Sequence, residues 1–370
     1  MEGCVVLQVR DDVRLAMLEK RRYGVAVPTL PLLVAMLTVA VCLPLWRLST
    51  CPGAAPDAAL VAPAYLLLMP GNATSLPSPY PLHKLPPLDP HHLIDLRHFA
   101  FRFNNFPCNE TASPLLLVLV HSAPDNIGKR RAIRETWGGR RDALRLLFLL
   151  GEVDGADQQL RLERENLVHR DMVQGSFRDS YRNMTYKHVM ALKWAAYFCP
   201  GARYLLKTDD DVFVNSPALL EFLSQDLSPW GARRLILCVP FHAATVKRSY
   251  RSKWRVSPSE YPGRVYPTYC AGWAILYSPD VAFLLYSEAQ RDRYFWIDDV
   301  HVTGTLAAKA NLTQTDLGSL VLSYEQVRAL EAGGNASDVG HFLFGAPNLE
   351  LASIHRLWEA VEGRASIPPS

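Results

Sequence analysis

The chain has 370 residues, with 39 Lys and Arg against 36 Asp and Glu, so its formal net charge is +3. This near-balance excludes the large clustered basic surplus typical of nucleic-acid-binding proteins, and no nucleic-acid partner is expected. Hydrophobic residues make up 49% and charged residues 20% of the chain. That composition favours a packed globular domain over general disorder.

An uncharged segment near the N-terminus, residues 23–46, predicts a transmembrane helix. As a helix it would be roughly 36 Å long, enough to cross a hydrocarbon core of about 30 Å. Three basic residues at 20–22 precede it and only Arg47 follows closely, which predicts a cytoplasmic tail at 1–22 and a lumenal remainder. A signal peptide cleaved near Gly53-Ala54-Ala55 is the alternative, but its apolar region would be about 7–15 residues, which is shorter. We therefore expect a single-pass type II signal-anchor.

Residues 47–113 contain eleven prolines and predict an extended lumenal stem. The alternative is a proline-rich loop packed on the following domain, above all over the aromatic stretch 91–106. Five of the seven cysteines follow the apolar span, where disulfides persist, and no Cys/His cluster suggests zinc. Five Asn-x-Ser/Thr sequons also follow it and predict a glycoprotein: Asn72, Asn109, Asn183, Asn311 and Asn335.

From residue 114 to 370 the pattern predicts one α/β domain. Short apolar runs alternate with helical segments, which favours a mainly parallel sheet flanked by helices. Neither a Gly-x-Gly-x-x-Gly run nor a Walker pattern is present. The expected strands are 115–121, 144–150, 203–208, 235–239 and 274–277, and the expected helices are 129–137, 157–170, 186–198, 217–224, 279–289 and 300–310.

The acidic triplet Asp209-Asp210-Asp211 follows one of these apolar strands. In an extended segment Asp209 and Asp211 project to the same side. Their oxygens could share one hard divalent cation such as magnesium or manganese. A helix cap or a solvated turn is the alternative for an acidic triplet taken alone.

Five motifs, in order over residues 114 to 312, resemble the β-1,3-glycosyltransferases of the galactosyltransferase family, which are related to the Fringe proteins. The resemblance implies a GT-A fold, an inverting transfer from a UDP-sugar, and an Asp-x-Asp motif that holds manganese. Two departures from the family pattern leave the donor open: Trp273-Ala274 after the Cys-x-Gly motif, and Asp298 in place of the more usual glutamate. The motifs are Arg130–Trp137, Phe177–Lys187, Tyr204–Asn215, Lys253–Gly272 and Ile297–Val300.

The same resemblance implies the residues of the site. Asp209 and Asp211 would be the metal ligands, and Asp209 would also contact the donor. Asp210 would either be a ligand at the donor site or only orient the turn. Arg130, Arg134, Asp179 and Lys187 would bind the UDP-sugar. The two arginines could instead belong to a solvated helix face, Asp179 could be a helix cap and Lys187 a surface charge.

An inverting transfer also needs a carboxylate that takes the proton of the attacking acceptor hydroxyl. Asp298 and Asp299 are the catalytic candidates, since they follow an aromatic stretch and come from a segment distant from the triplet. Asp299 is preferred because it matches the more constant family position, whereas Asp298 could be the helix N-cap. The aromatic set Trp254, Tyr261, Tyr266, Tyr269 and Trp273 could stack on sugars or belong to the core.

These expectations together predict a Golgi β-1,3-glycosyltransferase that transfers galactose from UDP-galactose to a glycan acceptor on a glycoprotein or glycolipid. UDP-N-acetylglucosamine is the alternative donor. A glycoside hydrolase also uses paired carboxylates, but the consecutive triplet argues against it. An inactive lumenal glycan-binding module would be favoured only if the acids at 209, 211 or 299 were missing, and all three are present.

Overall fold

The computed structural model describes residues 80–108, 113–139, 141–334 and 339–365. The predicted tail 1–22, the predicted span 23–46 and the first part of the predicted stem lie outside these ranges. So do the sequons at Asn72, Asn109 and Asn335. Within the described ranges, no helix combines the length and the apolar character that a membrane crossing needs.

The last part of the predicted stem, residues 80–108, is packed against the domain. Leu82, Leu85, Leu93 and Phe99 are buried in one of the two main hydrophobic clusters. Two 3₁₀ turns, Leu82–Lys84 and Asp89–His91, and strand β1, Phe101–Asn104, give the segment regular structure. The folded unit therefore includes residues well before the expected boundary at 114, and for this stretch the packed alternative describes the chain better than an extended stem.

A buried polar network fastens this segment to the helices beneath it. The carboxylate of Asp89 accepts hydrogen bonds from the hydroxyls of Tyr197 and Tyr286 and, at 2.7 Å, from Nε2 of Gln290. Lys193 donates to the main-chain carbonyl of Asp89, and burial lowers its pKa to about 8 against the opposing charge of that aspartate. The network satisfies polar groups that would otherwise destabilise the interior.

Two disulfides confirm the expectation of oxidised cysteines. Cys108–Cys199 links the end of the N-terminal segment to the end of a core helix, across 91 residues of sequence. Cys238–Cys270 joins two neighbouring strands.

The sheet has eight strands within the described residues, in the order β1-β4-β3-β2-β5-β7-β6-β8. Four pairs of neighbours are parallel, and the pairs β1/β4, β5/β7 and β6/β7 are antiparallel. The sheet is thus mixed rather than mainly parallel. The expectation of a mainly parallel sheet was wrong because the apolar pattern reveals neither the reversed direction of β7 nor the antiparallel edge strand β1. The remaining strands are β2 Leu116–His121, β3 Leu144–Glu152, β4 Met172–Arg178, β5 Tyr204–Asp209, β6 Ile236–Phe241, β7 Tyr269–Tyr277 and β8 Thr315–Asp316.

Helices cover both faces of the sheet, as expected. Alternate residues of β2 belong to different hydrophobic clusters: Leu117 and Leu119 to one, Leu116, Val118 and Val120 to the other. This period of two explains why the strand reads as a continuous apolar run. The helices are α1 Ile127–Glu135, α2 Ala156–His169, α3 Met184–Phe198, α4 Ser216–Glu221, α5 Pro279–Ala289, α6 Ala307–Lys309, α7 Tyr324–Glu331 and α8 Leu351–Ala365.

The six helices expected from the sequence all have counterparts among these elements. The expected helix 300–310 is a π-helical segment, Val300–Leu306, that continues into α6. A second π-helical turn, Phe222–Leu227, extends α4. Helices α7 and α8 were not expected; both contribute to the hydrophobic cluster that also contains Ile133 of α1 and Leu162 of α2.

Candidate active site

The acidic triplet lies where β2 and β5 end side by side. His121, the last residue of β2, pairs in register with Asp209, the last residue of β5. The buried ammonium of Lys207 donates to Asp209 Oδ1 at 2.7 Å and also to the carbonyl oxygen of Gly272. Asp209 is therefore held toward β7, with its other carboxylate oxygen free of hydrogen bonds from the described residues.

Asp210 has a different environment from its two neighbours. Its Oδ2 accepts hydrogen bonds from Ser122 Oγ at 2.7 Å and from Asn126 Nδ2 at 2.8 Å, and Lys129 Nζ lies 3.2 Å from Oδ1. The side chain is 4% exposed. These contacts favour the orienting role over donor contact, because both oxygens are committed to holding the β2–α1 connection against the triplet.

Asp211 is more accessible and keeps one oxygen uncommitted. Its Oδ2 lies 3.1 Å from Lys129 Nζ, whose pKa is raised because the charges of Asp210 and Asp211 outweigh the effect of burial. Partial burial also raises the pKa of Asp209, and the charges of Asp298 and Asp211 add to this effect against the ammonium of Lys207. The two outer acids thus repel each other at short range.

The outer acids fit a divalent cation by their chemistry. Each offers an oxygen that makes no hydrogen bond within the described residues, and carboxylate oxygens suit magnesium and manganese. No group of three or more His, Cys, Asp or Glu side chains within those ranges forms a complete protein cage. A site with two carboxylates is nevertheless consistent with the cations that bind nucleotides, because phosphate oxygens and water supply the remaining ligands.

Arg130 and Arg134 do not point at the triplet with free guanidinium groups. Arg130 is fully buried; it forms two hydrogen bonds with Glu165 and donates the others to Ser122 Oγ and to the carbonyls of Ala123 and Pro124. All five of its donors are used inside the protein. Instead of the direct donor contact expected from the sequence, this geometry gives Arg130 the task of holding the 122–124 loop.

Arg134 is committed in a similar way. It forms two hydrogen bonds with Asp171 at 2.7 and 2.9 Å and a third with Glu165 at 2.8 Å. Its guanidinium also lies 4.7 Å from the centre of the Phe148 ring. Burial disfavours the charge of Glu165, but hydrogen bonds from both arginines lower its pKa below the usual value. Arg130 and Arg134 of α1 and Glu165 of α2 thus form an ion-pair network between the two helices, which Asp171 extends.

Asp179 and Lys187 pair behind the same loop. Lys187 Nζ lies 2.9 Å from Asp179 Oδ2 and donates to the carbonyl oxygen of Ser122 at 2.6 Å. Asp179 Oδ2 also accepts a hydrogen bond from the Gly151 amide at 2.6 Å. A side chain at Gly151 would collide with the backbone of Asp179, since an ideal Cβ there would lie 2.8 Å from the Asp179 nitrogen. The ends of β2, β3 and β4 are thereby tied together beside the acidic triplet.

Asp298 and Asp299 lie beside β7, the strand next to β5, and their charges act on the same Lys207 ammonium as the charge of Asp209. Gly272 bridges the two groups, because its carbonyl accepts from Lys207 and an ideal Cβ on it would lie 3.3 Å from Asp299 Cβ. Any larger residue at 272 would press on Asp299. The structure therefore brings together all the acids that the sequence analysis singled out for metal binding and catalysis.

The two neighbouring aspartates differ in their hydrogen bonds. Asp298 Oδ2 lies 3.0 Å from His188 Nδ1, and His188 Nε2 lies 3.1 Å from the Tyr277 hydroxyl. Burial opposes ionisation of Asp298, but the His188 hydrogen bond and the charge of Lys207 outweigh it and lower its pKa. Asp298 is thus an ionised carboxylate fixed in place.

Asp299 has no comparable partner. Its Oδ1 accepts from the amide of Val300 at 2.8 Å, which caps the following π-helical segment. Burial and then the adjacent charge of Asp298 raise the pKa of Asp299 to about 7. A carboxylate with that pKa is a better proton acceptor near neutrality than an ordinary aspartate. The helix-capping role considered as the alternative for Asp298 therefore belongs to Asp299. Its Oδ1 forms the cap, and its Oδ2 remains available to accept a proton.

Sequence reasoning missed the residues beneath the acids: Lys207, His188 and Tyr277. Lys207 precedes Asp209 by two residues on one strand, so the alternation of side chains could have placed both on the same face. No local pattern could have joined His188 to Asp298, because the two residues are 110 positions apart.

The chain matches the galactosyltransferase family model over residues 128–318. It is 34% identical over 230 residues to mouse lactosylceramide 1,3-N-acetyl-β-D-glucosaminyltransferase, covering 59% of this chain and 61% of that protein. It is also 34% identical over 216 residues to human β-1,3-galactosyltransferase 5, covering 57% of this chain and 68% of the relative. The solved galactosyltransferase LgtC, with donor and acceptor sugar analogues, aligns with 69% of this chain and 98% of its own at 10% identity and a TM-score of 0.32. Since the family match spans more than half of the chain, the protein belongs to the galactosyltransferase family.

Proposed function

We propose that the protein is an inverting β-1,3-glycosyltransferase with a GT-A fold that transfers galactose from UDP-galactose to a glycan acceptor. The observation that carries this proposal is the approach of two kinds of carboxylate: Asp209 and Asp211 with uncommitted oxygens, and Asp299 with a pKa of about 7. Inversion by direct displacement needs both functions in one cleft. The names of the relatives, β-1,3-galactosyltransferases among them, support the donor and the linkage.

The donor half of the site would be organised around the triplet. Asp209 and Asp211 would hold a manganese ion, which when bound supplies positive charge opposite the diphosphate leaving group. Asp210 keeps the triplet in register with Ser122 and Asn126, while Lys129 adds a cation beside Asp211. Arg130 and the Asp179–Lys187 pair would act on the donor indirectly. They hold the 122–124 loop, which would border the diphosphate.

The acceptor half would be organised around Asp299. The free oxygen of Asp299 accepts the proton of the acceptor hydroxyl while the hydroxyl oxygen attacks the anomeric carbon of the donor sugar. The bond between that carbon and UDP breaks on the opposite face. Asp298 is fixed by His188 and raises the basicity of Asp299 through its charge. Lys207 balances the acids from below without occupying the cleft, since it is buried among Asp209, Gly272 and the sheet.

A second nucleotide sugar is also a candidate donor. The mouse relative named lactosylceramide 1,3-N-acetyl-β-D-glucosaminyltransferase has the same 34% identity as the galactosyltransferases. UDP-N-acetylglucosamine therefore stands as the alternative donor for the same mechanism.

A direct test uses the full-length protein in detergent micelles. UDP release is measured with a panel of UDP-sugars and of glycoside acceptors ending in galactose, N-acetylglucosamine or N-acetylgalactosamine, and the anomer of the product is read by NMR. Acceptor-dependent release from UDP-galactose with a β-1,3 product supports the proposal. Retention of the α configuration, or activity on glycosides without a nucleotide donor, would contradict it.

We also propose the topology that the sequence predicts: a cytoplasmic tail at 1–22, a signal-anchor at 23–46, a lumenal stem and a lumenal catalytic domain in the Golgi membrane. The two disulfides support an oxidising compartment. An epitope tag at the N-terminus should remain on the mature, membrane-bound protein and be accessible to antibody on intact Golgi vesicles, whereas a C-terminal tag should be protected until the bilayer is permeabilised. Loss of the tag during maturation would identify a cleaved signal peptide instead.

A further inference from the structure

A strongly basic loop, residues 247–255, forms a rim beside the segment that leads to Asp298 and Asp299, and it plays no part in the mechanism above. The stretch 247–264 contains six Lys and Arg residues and a single acid, Glu260, in a chain whose formal net charge is only +3. Aromatic rings alternate with these charges: Tyr250 is 86% exposed and Trp254 46% exposed. Exposed rings grouped beside charged residues in this way offer a surface on which a ligand could stack.

The loop is held in a defined conformation. Arg248 donates to the carbonyls of Val256, Tyr261 and Gly263 at 2.7–2.9 Å. Val256 is fully buried in a small hydrophobic cluster that also contains Phe295 and Trp296, just before the catalytic acids. The loop is therefore packed against the segment that carries Asp298 and Asp299.

Three cations of this loop, Lys247, Arg251 and Lys253, have no acidic partner among the described residues, whereas the charge of Arg255 acts on Glu260. None of the carboxylates in the described ranges lies within ion-pair distance of Lys247, Arg251 or Lys253; Arg182, in the neighbouring turn, is the one paired with Glu260, at 3.1 Å. Lys253 Nζ instead lies 4.4 Å from the centre of the Trp254 ring, and the Arg255 guanidinium 3.7 Å from that of Tyr250. Several positive charges thus face the solvent beside aromatic surfaces.

Tyr181 connects this rim to the base. Its ring, 54% exposed, lies 6.0 Å from Lys253 Nζ and 6.0 Å from the centre of the Trp296 ring. Partial burial raises the pKa of Tyr181, while a hydrogen bond with the side chain of Trp254 opposes the shift and the charges of Asp299 and Asp298 add to it. Tyr181, with Trp254 beside it, therefore lies near both the basic loop and the two carboxylates.

The basic loop and its aromatic rings lie on the acceptor side of the proposed site and not on the donor side. The diphosphate belongs at Asp209, Asp211 and Lys129, whereas the acceptor hydroxyl must reach Asp299. A sugar stacked on Tyr181 and Trp254 would have its outer substituents, or the next sugar along, beside Lys253 and Arg251. Stacking on rings explains sugar binding in general, but the unpaired cations add attraction only for a negative group.

We propose that this rim binds an acidic acceptor glycan, one that carries a carboxylate or a sulfate ester on the acceptor sugar or on the sugar next to it. The inference rests on the proposed function and names its acceptor class. An anionic membrane surface has the same charge, but the rings and the contact with the catalytic segment favour a glycan.

The test compares matched acceptors with the full-length protein in detergent micelles. One pair is an N-acetylglucosamine glycoside and its 6-O-sulfate; the other is a disaccharide glycoside whose penultimate sugar is glucose or glucuronate. At an ionic strength of about 0.02 M, the wild type should prefer the charged member of at least one pair by roughly tenfold in kcat/KM, since each exposed charge contributes about twofold to fivefold. The preferred pair identifies sulfate or carboxylate as the anion.

Variants assign the preference to the loop. In the double variant Arg251→Gln, Lys253→Gln the ratio of the two kcat/KM values should fall to within about twofold of one. The matched control Lys84→Gln, Arg356→Gln removes two exposed charges from other parts of the fold and should keep the wild-type ratio. Salt of about 0.5 M should shrink the wild-type ratio in the same direction.

Three results would overturn the inference. The first is equal kcat/KM for charged and neutral acceptors in the wild type, and the second is an unchanged ratio in the loop double variant. The third is a loop variant that loses binding to phosphatidylserine vesicles while its acceptor ratio stays constant, which would mark a membrane contact. Failure of the proposed function looks different: no acceptor of either charge would receive galactose from UDP-galactose.

Discussion

Replacing Asp299 by Asn should lower kcat by a factor on the order of 10²–10⁴, the range for loss of a general base. The pKa of Asp299, about 7, sets the pH dependence of the wild type. The carboxylate is the active form, so activity is present above the pKa and is lost as pH falls. About half of the groups are ionised at pH 7 and about a tenth at pH 6, so kcat/KM should fall about tenfold per pH unit on the acid side.

Replacing the neighbouring Asp298 by Asn tests the roles of the two acids more sharply. Asp298 raises the pKa of Asp299 by its charge, so Asp298→Asn should move the acid limb of the kcat/KM profile to lower pH. Asn can still accept the hydrogen bond from His188, which preserves the geometry. The assay is UDP release over a pH series for wild type and both variants, with thermal unfolding to verify the fold and UDP binding to verify the donor half.

The reasoning would be refuted if Asp299→Asn turned over at a near-normal rate. If Asp298→Asn were the inactive variant, the roles assigned to the pair would be reversed. An acid limb that stays in place when Asp298 is neutralised would show that another group controls it.

Three further outcomes test other parts of the structure. Asp211→Ala should abolish transfer and weaken UDP-sugar binding in calorimetry, and EDTA should stop the wild type until manganese is restored; full activity in EDTA would exclude the proposed metal. Glu165→Gln leaves a buried arginine without its charged partner and should lower the free energy of unfolding by about 3–5 kcal/mol, whereas neutralising the exposed Arg131 should not measurably change the melting temperature. Replacing Cys108 and Cys199 together by Ser should cost about 2–5 kcal/mol in denaturant unfolding, and an unchanged midpoint would mean that this bond contributes nothing.

Local patterns in the sequence located most of the sheet and helices. Continuous apolar runs identified β2, β3 and β5 because parallel strands are buried on both faces. The strands Met172–Arg178 and Phe101–Asn104 were missed, since β4 is interrupted by Gln174 and Gly175 and β1 is an edge strand with polar positions. Their assignment depends on pairing with each other and with β3.

The candidate site shows the same division between local and distant information. The triplet and the pair at 298–299 were visible as clusters of charge, and both lie at the cleft. The burial and ion pairing of Arg130 could not be predicted, because its partner Glu165 is 35 residues away on another helix. The different roles of Asp298 and Asp299 likewise depend on His188, which the sequence near the pair does not reveal.

The contacts that fix residues 80–108 to the domain have a consequence for proteolytic release of the enzyme from the proposed membrane anchor. A protease that cleaved before residue 80 would leave the Asp89 network, β1 and the Cys108–Cys199 bond intact, so the released product would keep these contacts. Cleavage between Cys108 and β2 would instead leave the Cys108–Cys199 disulfide as the covalent link between the segment and the rest of the domain. In a reducing environment that segment could dissociate, exposing the edge of β4 and the apolar surface that Leu93 and Phe99 cover.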